Sequence, residues 1–133
     1  MVTDTFSIQT QSSSSLRGNA ELVSLLADAD FIATSIIAEL EYFSFPRLGE
    51  EDLQLYQAFR SRIHVYDVPS DDPMFTQLVV NARKRNGMKL PDAIIAATAR
   101  ANDLAILTAD DHFKKLKSPW KVRLYSTVQG GPK

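Results

Sequence analysis

Along this 133-residue chain, short unbroken apolar runs alternate with stripes of apolar residues at helical spacing, most legibly over residues 89–113. Pro91 suits the first helical position, where its missing N–H leaves nothing unsatisfied, so Asp92 falls in the first turn. Ile95, Ala96 and Ala99 stand three, four and seven residues beyond Asp92, so this acid lies in line with a small apolar face. Asn102-Asp103 breaks the helix. Leu104-Ala105-Ile106-Leu107 is then an apolar run of the kind that fills a strand buried on both sides, with Asp110 and Asp111 at its carboxyl end.

The remaining elements follow from the same signals. Asn19 caps a helix to Asp28 on Leu22, Val23, Leu25 and Leu26, and Phe31-Ile32-Ala33 reads as a strand. Thr34 or Ser35 caps the next helix, whose expected buried stripe is Ile36, Ile37, Leu40 and Phe43 and which Pro46 ends. Glu39 sits on the edge of that stripe, two residues or fewer from where a capping-box acid would stand, so capping does not explain it. Residues 50–61 form a helix using Leu53, Leu55, Tyr56 and Phe59, and residues 63–68 a strand. Ser70-Asp71-Asp72-Pro73 opens a helix to about Arg85 that Asn86-Gly87 stops, and Val122-Arg123-Leu124-Tyr125 is a last strand. The Gln/Ser/Thr-rich run to Ser15 reads as loop. Strands alternating with helices predict a three-layer α/β domain, a mainly parallel sheet of about five strands flanked by helices. In such sheets ligands gather beyond the carboxyl ends of the strands.

Composition narrows the chemistry. The chain has no cysteine, which excludes disulfides, thiolate metal sites and a cysteine nucleophile and fits a reducing cytoplasm. No apolar run is long enough to span a membrane, and Thr3-Asp4-Thr5 is not the start of a signal peptide, so a cytoplasmic protein is expected. The net charge of −1 conceals an asymmetry: residues 1–81 carry four basic and twelve acidic side chains (−8), residues 82–133 eleven basic and four acidic (+7). The basic part is suited to a polyanion or an acidic partner, although such runs also occur as plain solvated faces. Phosphate-binding glycine loops, nucleophile elbows and zinc-binding helix motifs are all missing from the sequence. The acids are left as the candidate chemistry.

Carboxylates converging on one pocket repel each other, and a divalent cation makes the cluster tolerable. Oxygen donors without sulfur or imidazole suit magnesium or manganese, and phosphodiester hydrolysis is the natural reaction class. Each residue also has a plainer reading. Asp92 matches a helix dipole, Glu39 is a solvated helix residue, and Asp110 and Asp111 are turn and cap residues, a role that Asp111 keeps. His112 reads as a surface or capping side chain, and Thr108 as a β-branched strand residue whose hydroxyl is able to orient a metal-bound water.

The ordered set Ser35-Ile36-Ile37-Ala38-Glu39-Leu40, Leu90-Pro91-Asp92-Ala93, Ile95-Ala96-Ala97-Thr98-Ala99, and Leu107-Thr108-Ala109-Asp110 with Phe113 resembles the motifs of PIN domains, and among these the VapC-type toxins of toxin–antitoxin systems. The resemblance covers roughly residues 19–125. It implies a single PIN-like domain over residues 1–133, with an atypical N-terminal segment (1–18) and a tail (127–133). It also implies a Mg²⁺- or Mn²⁺-dependent endoribonuclease acting on RNA, a homodimer, and a cognate antitoxin. The metal ligands it implies are Glu39, Asp92 and Asp110, with Thr108 as an accessory hydroxyl. The family's opening Asp-Thr-Asn has a counterpart in Asp4-Thr5-Phe6, which makes Asp4 the first ligand. Phe6 replaces the asparagine, however, and counting back from Leu16-Arg17-Gly18 puts the aspartate position near Ile8. Either residues are inserted after Asp4 or the first motif is absent. An inactive PIN-like module that binds protein or RNA without cutting is the alternative expectation.

Overall fold

Five strands, all paired in parallel, make one sheet in the order β3-β2-β1-β4-β5. The computed structural model describes residues 5–9, 27, 29–46 and 48–124. In chain order these form β1 (Thr5–Gln9), β2 (Phe31–Ser35), α1 (Ile36–Phe43), α2 (Glu50–Arg60), β3 (His64–Tyr66), α3 (Pro73–Asn86), α4 (Leu90–Ala101), β4 (Ala105–Thr108), a 3₁₀ turn (Asp111–Lys115) and β5 (Val122–Leu124). The arrangement is a three-layer α/β fold, as the alternation of strands and helices predicts. The helix expected over residues 19–28 lies almost wholly outside the described residues, as do Asp4, Tyr125 and the tail.

The largest departure is β1. Part of the stretch expected to be a loop is the central strand of the sheet, paired with β2 from Thr5 beside Phe31 and with β4 through Gln9 beside Thr108. Its five residues alternate polar and apolar, a strand period that continuous apolar runs do not reveal. Ladders on both sides satisfy its backbone whatever side chains it carries.

Helix ends follow local chemistry. Ser35 Oγ accepts the Ile37 N–H at 3.0 Å and starts α1, and Asp72 Oδ1 accepts the Met74 and Phe75 N–H groups at 3.1 and 3.2 Å and starts α3. Gly87, at φ +67°, ends α3 in the left-handed conformation, and the Met88 N–H closes back on the Ala82 carbonyl at 3.1 Å. This tight exit leads in three residues to α4. Ala93 and the whole run from Ile95 to Ala99 are buried there, because alanine lets neighbouring backbones approach closely. Ala33, Ala38, Ala82, Ala93, Ile95, Ala96, Ala99, Leu104, Ile106, Phe113 and Leu116 belong to one buried cluster.

Two helix faces differ from expectation. Leu40 and Phe43 of α1 are exposed while Ala38, Glu39 and Tyr42 are buried, and Leu53 and Leu55 of α2 are exposed while Asp52 and Tyr56 are buried. The two helices meet through the Tyr42 and Tyr56 rings, stacked at 4.7 Å between centroids, which rotates the leucines outward.

Candidate active site

The carboxyl end of β4 builds the first half of the site. Thr108, fully buried as the last residue of β4, is held in register between Gln9 of β1 and Leu124 of β5. Two residues on, the Asp110 backbone N–H donates to Thr108 Oγ1 at 3.0 Å. Asp110 Oδ1 in turn accepts the His112 N–H at 2.9 Å, so Asp110, not Asp111, caps the 3₁₀ turn. Asp111 is the first residue of that turn and lies 3.5 Å from Lys114 Nζ in an exposed pair. The strand thus fixes a threonine, the threonine fixes an aspartate, and the aspartate fixes the turn beyond it.

The second half comes from α4. Lys89 is extended, Pro91 sits in the first turn, and Asp92 follows it, half-buried. The short link through Gly87 sets where α4 starts and hence where Asp92 stands. Burial pushes the Asp92 carboxyl above its ordinary value, and the nearby charge of Asp110 pushes it the same way; His112, Lys89 and Lys115 act in the opposite sense. One donor atom from each of Asp92, Asp110 and His112 lies within 4.8 Å of the others. His112, expected at the surface or in a cap, is exposed, with Nδ1 3.2 Å from Asp110 Oδ1, and it nevertheless completes this group. Its signal in the sequence was its place two residues after an aspartate at a strand end, where a side-chain turn folds the chain back on that aspartate.

Glu39 has different company. It lies in the first turn of α1, just past the carboxyl end of β2, with 7% of its surface exposed. Its Oε1 accepts from Arg60 Nε at 2.6 Å and from Tyr56 OH at 3.1 Å, and its Oε2 from Arg60 Nη2 at 3.4 Å. Burial first, then the charge and hydrogen bond of Glu39, raise the Tyr56 phenol well above its ordinary value. Glu39 is not in the Asp92–Asp110–His112 group. Tyr56 and Arg60, four residues apart on one face of α2, have no individual signal in the sequence; only their spacing pairs them. Asp4 lies outside the described residues. The carboxyl end of β1, between β2 and β4, is Gln9.

The sequence profile of the PIN domain family matches residues 15–119. The chain belongs to the PIN domain family. Its fold is similar to solved structures of toxin–antitoxin complexes. VapBC2 of Rickettsia felis bound to a DNA fragment from their promoter has a TM-score of 0.68 and 17% identity, covering 92% of this chain and 99% of that one. DNA-bound VapBC of Salmonella typhimurium has a TM-score of 0.66 and 20% identity over 96% and 100% of the two chains. VapBC-5 of Mycobacterium tuberculosis has a TM-score of 0.60 and 21% identity over 92% and 98%. No curated protein matches the sequence. PIN domains are generally nucleases, and PIN nucleases typically use divalent metals. No helix among the described residues is long and apolar enough to cross a membrane.

The site fits such a metal. Two carboxylates close enough for one to raise the proton affinity of the other form an anionic pair that a divalent cation would relieve, and a third donor stands beside them.

Proposed function

We propose that this PIN domain is a metal-dependent endoribonuclease that hydrolyses RNA phosphodiester bonds, and that it is the toxin of a toxin–antitoxin pair. The observation that carries the reading is the convergence of Asp92 and Asp110 at the carboxyl edge of a parallel sheet. Family membership and likeness in fold to VapBC complexes support it.

In this reading Asp92 and Asp110 hold Mg²⁺ or Mn²⁺. A bound divalent ion supplies a water of lowered pKa and neutralises charge that builds on a phosphoryl oxygen. The chain's own residues do the positioning. Thr108 Oγ1 fixes the Asp110 backbone, and Pro91 at the start of α4 sets Asp92 in its first turn. Lys89 and Lys115, whose charges act on Asp92, draw the phosphate backbone toward the site. Glu39 is proposed with them as a ligand, its carboxylate held by Arg60 and Tyr56. Asp4 stays in the proposal as the first acid of the set.

Purified protein should cut single-stranded RNA with Mg²⁺ or Mn²⁺ and stop in EDTA, and Asp92→Asn should abolish cutting. Cleavage that survives EDTA or that substitution would refute the mechanism. Single-stranded DNA of the same sequence tests the preference for RNA, and light scattering tests the homodimer. The engagement of Glu39 by Arg60 favours one other reading, a PIN-like module that binds protein or RNA without cutting it. Calorimetric titration separates the two readings, because an inactive module should bind no Mn²⁺ at millimolar concentration.

A further inference from the structure

We propose that His112 is a metal ligand of this site, and that its imidazole makes the site prefer a first-row transition cation, with manganese(II) and cobalt(II) as probes, over magnesium. The inference rests on the metal-centre reading above and adds the identity of the third donor and the class of ion it selects.

Three observations place the imidazole. The 2.9 Å bond from the His112 N–H to Asp110 Oδ1 ties the residue's backbone to a proposed ligand. The ring lies alongside, with Nδ1 3.2 Å from that same oxygen. One ring nitrogen, one Asp92 oxygen and one Asp110 oxygen fall within 4.8 Å of one another, a separation over which three donors can share one ion. The side chain is 65% exposed, so an arriving hydrated ion meets it directly. A neutral imidazole offers a lone pair on one nitrogen and a proton on the other. In the tautomer protonated on Nε2, Nδ1 carries the lone pair, and Nδ1 is the nitrogen that stands 3.2 Å from Asp110 Oδ1.

The donor set decides the ion. Two aspartates and a neutral histidine carry two negative charges, matching a divalent cation, and one of the three donors is nitrogen. Magnesium takes oxygen donors and keeps its waters, whereas imidazole suits transition ions. A site of oxygens alone would discriminate less between magnesium and these ions.

Calorimetric titration of the full chain with MgCl₂, MnCl₂ and CoCl₂, on the parent, His112→Ala and His112→Asp, tests the proposal. The parent should bind Mn²⁺ and Co²⁺ roughly tenfold or more tightly than Mg²⁺, and His112→Ala should lose roughly tenfold in Co²⁺ affinity with Mg²⁺ affinity little changed. His112→Asp should tighten Mg²⁺ binding above that of the parent and weaken Co²⁺ binding. Pulsed electron paramagnetic resonance on the Mn²⁺-loaded parent should show nitrogen-14 modulation from a directly bound imidazole, absent in His112→Ala. The other histidine in the chain is His64, on β3. Metal binding without nitrogen modulation, or an ion preference unchanged in His112→Ala, would overturn the role of His112 and leave the two-aspartate site standing. Failure of the parent to bind any of the three ions at millimolar concentration would overturn the metal centre itself.

Discussion

Replacing Tyr56 with phenylalanine removes one oxygen from a 3%-exposed residue and leaves the ring stack on Tyr42 in place. What is lost is the O–H donated to Glu39 at 3.1 Å. A hydrogen bond to a charged group is worth about 1.5–3 kcal/mol. Two features lower that figure: the bond is longer than the charge-assisted optimum, and Arg60 still donates to the same Glu39 oxygen, so the carboxylate is not orphaned. The expected loss is about 1–2 kcal/mol, which in a chain of this length lowers the unfolding midpoint by about 3–10 °C. The dependence on pH has a definite sign. The folded phenol titrates well above the ordinary value of 10.0, so above pH 10 the unfolded chain releases a proton that the folded chain keeps. The stabilisation is complete below that pH and declines as pH rises further, and a phenylalanine has no such loss. Thermal unfolding followed by circular dichroism from pH 7 to pH 11 should therefore show parent above variant at neutral pH, with the gap closing at the alkaline end. Midpoints that coincide at pH 7 would refute a contribution from the Tyr56–Glu39 bond.

Other substitutions probe other steps. The raised Asp92 carboxyl binds its proton more tightly folded than unfolded, so its ionisation costs stability as pH rises above its ordinary value of 3.8. Asp92→Asn in EDTA should be at least as stable as the parent at pH 7, with the difference vanishing below about pH 4, while Mn²⁺ at a hundred times its Kd stabilises only the parent, by about 2.7 kcal/mol; thermal scans with and without metal check both. Phe113→Ala, at a fully buried ring of the core cluster, should cost about 3–5 kcal/mol in urea unfolding. Gly87→Ala places a side chain at φ +67° and should cost about 1 kcal/mol in the same assay.

Residues 89–113 were the most legible part because local and tertiary signals agree there. Pro91 starts the helix and an unbroken apolar run makes a strand covered on both faces, so Asp92 and Asp110 are both recognisable from their neighbours. Where partners decide, legibility falls. Leu40, Leu53 and Leu55 satisfy helical periodicity and still face water, because the Tyr42–Tyr56 stack, with Phe43 edge-on to Tyr56, sets how α1 and α2 meet. The plain reading of Glu39 as a solvated residue fails because Arg60, 21 residues away, supplies a counter-charge that no local pattern announces. His112 reads in the sequence as a surface or capping side chain, and in the structure it is exposed beside Asp110.

The family match begins at residue 15, six residues after β1 ends. A protein started there by design would lose the strand that joins β2 to β4 and would bare a row of N–H and C=O groups on each of them. Two unpaired edges facing one gap are a template for any extended segment, including one from another molecule. Such a shortened protein should assemble into aggregates, and a synthetic peptide covering the first residues should suppress them by filling the slot. The middle of this sheet thus offers a natural seam for dividing the protein into two pieces that recombine.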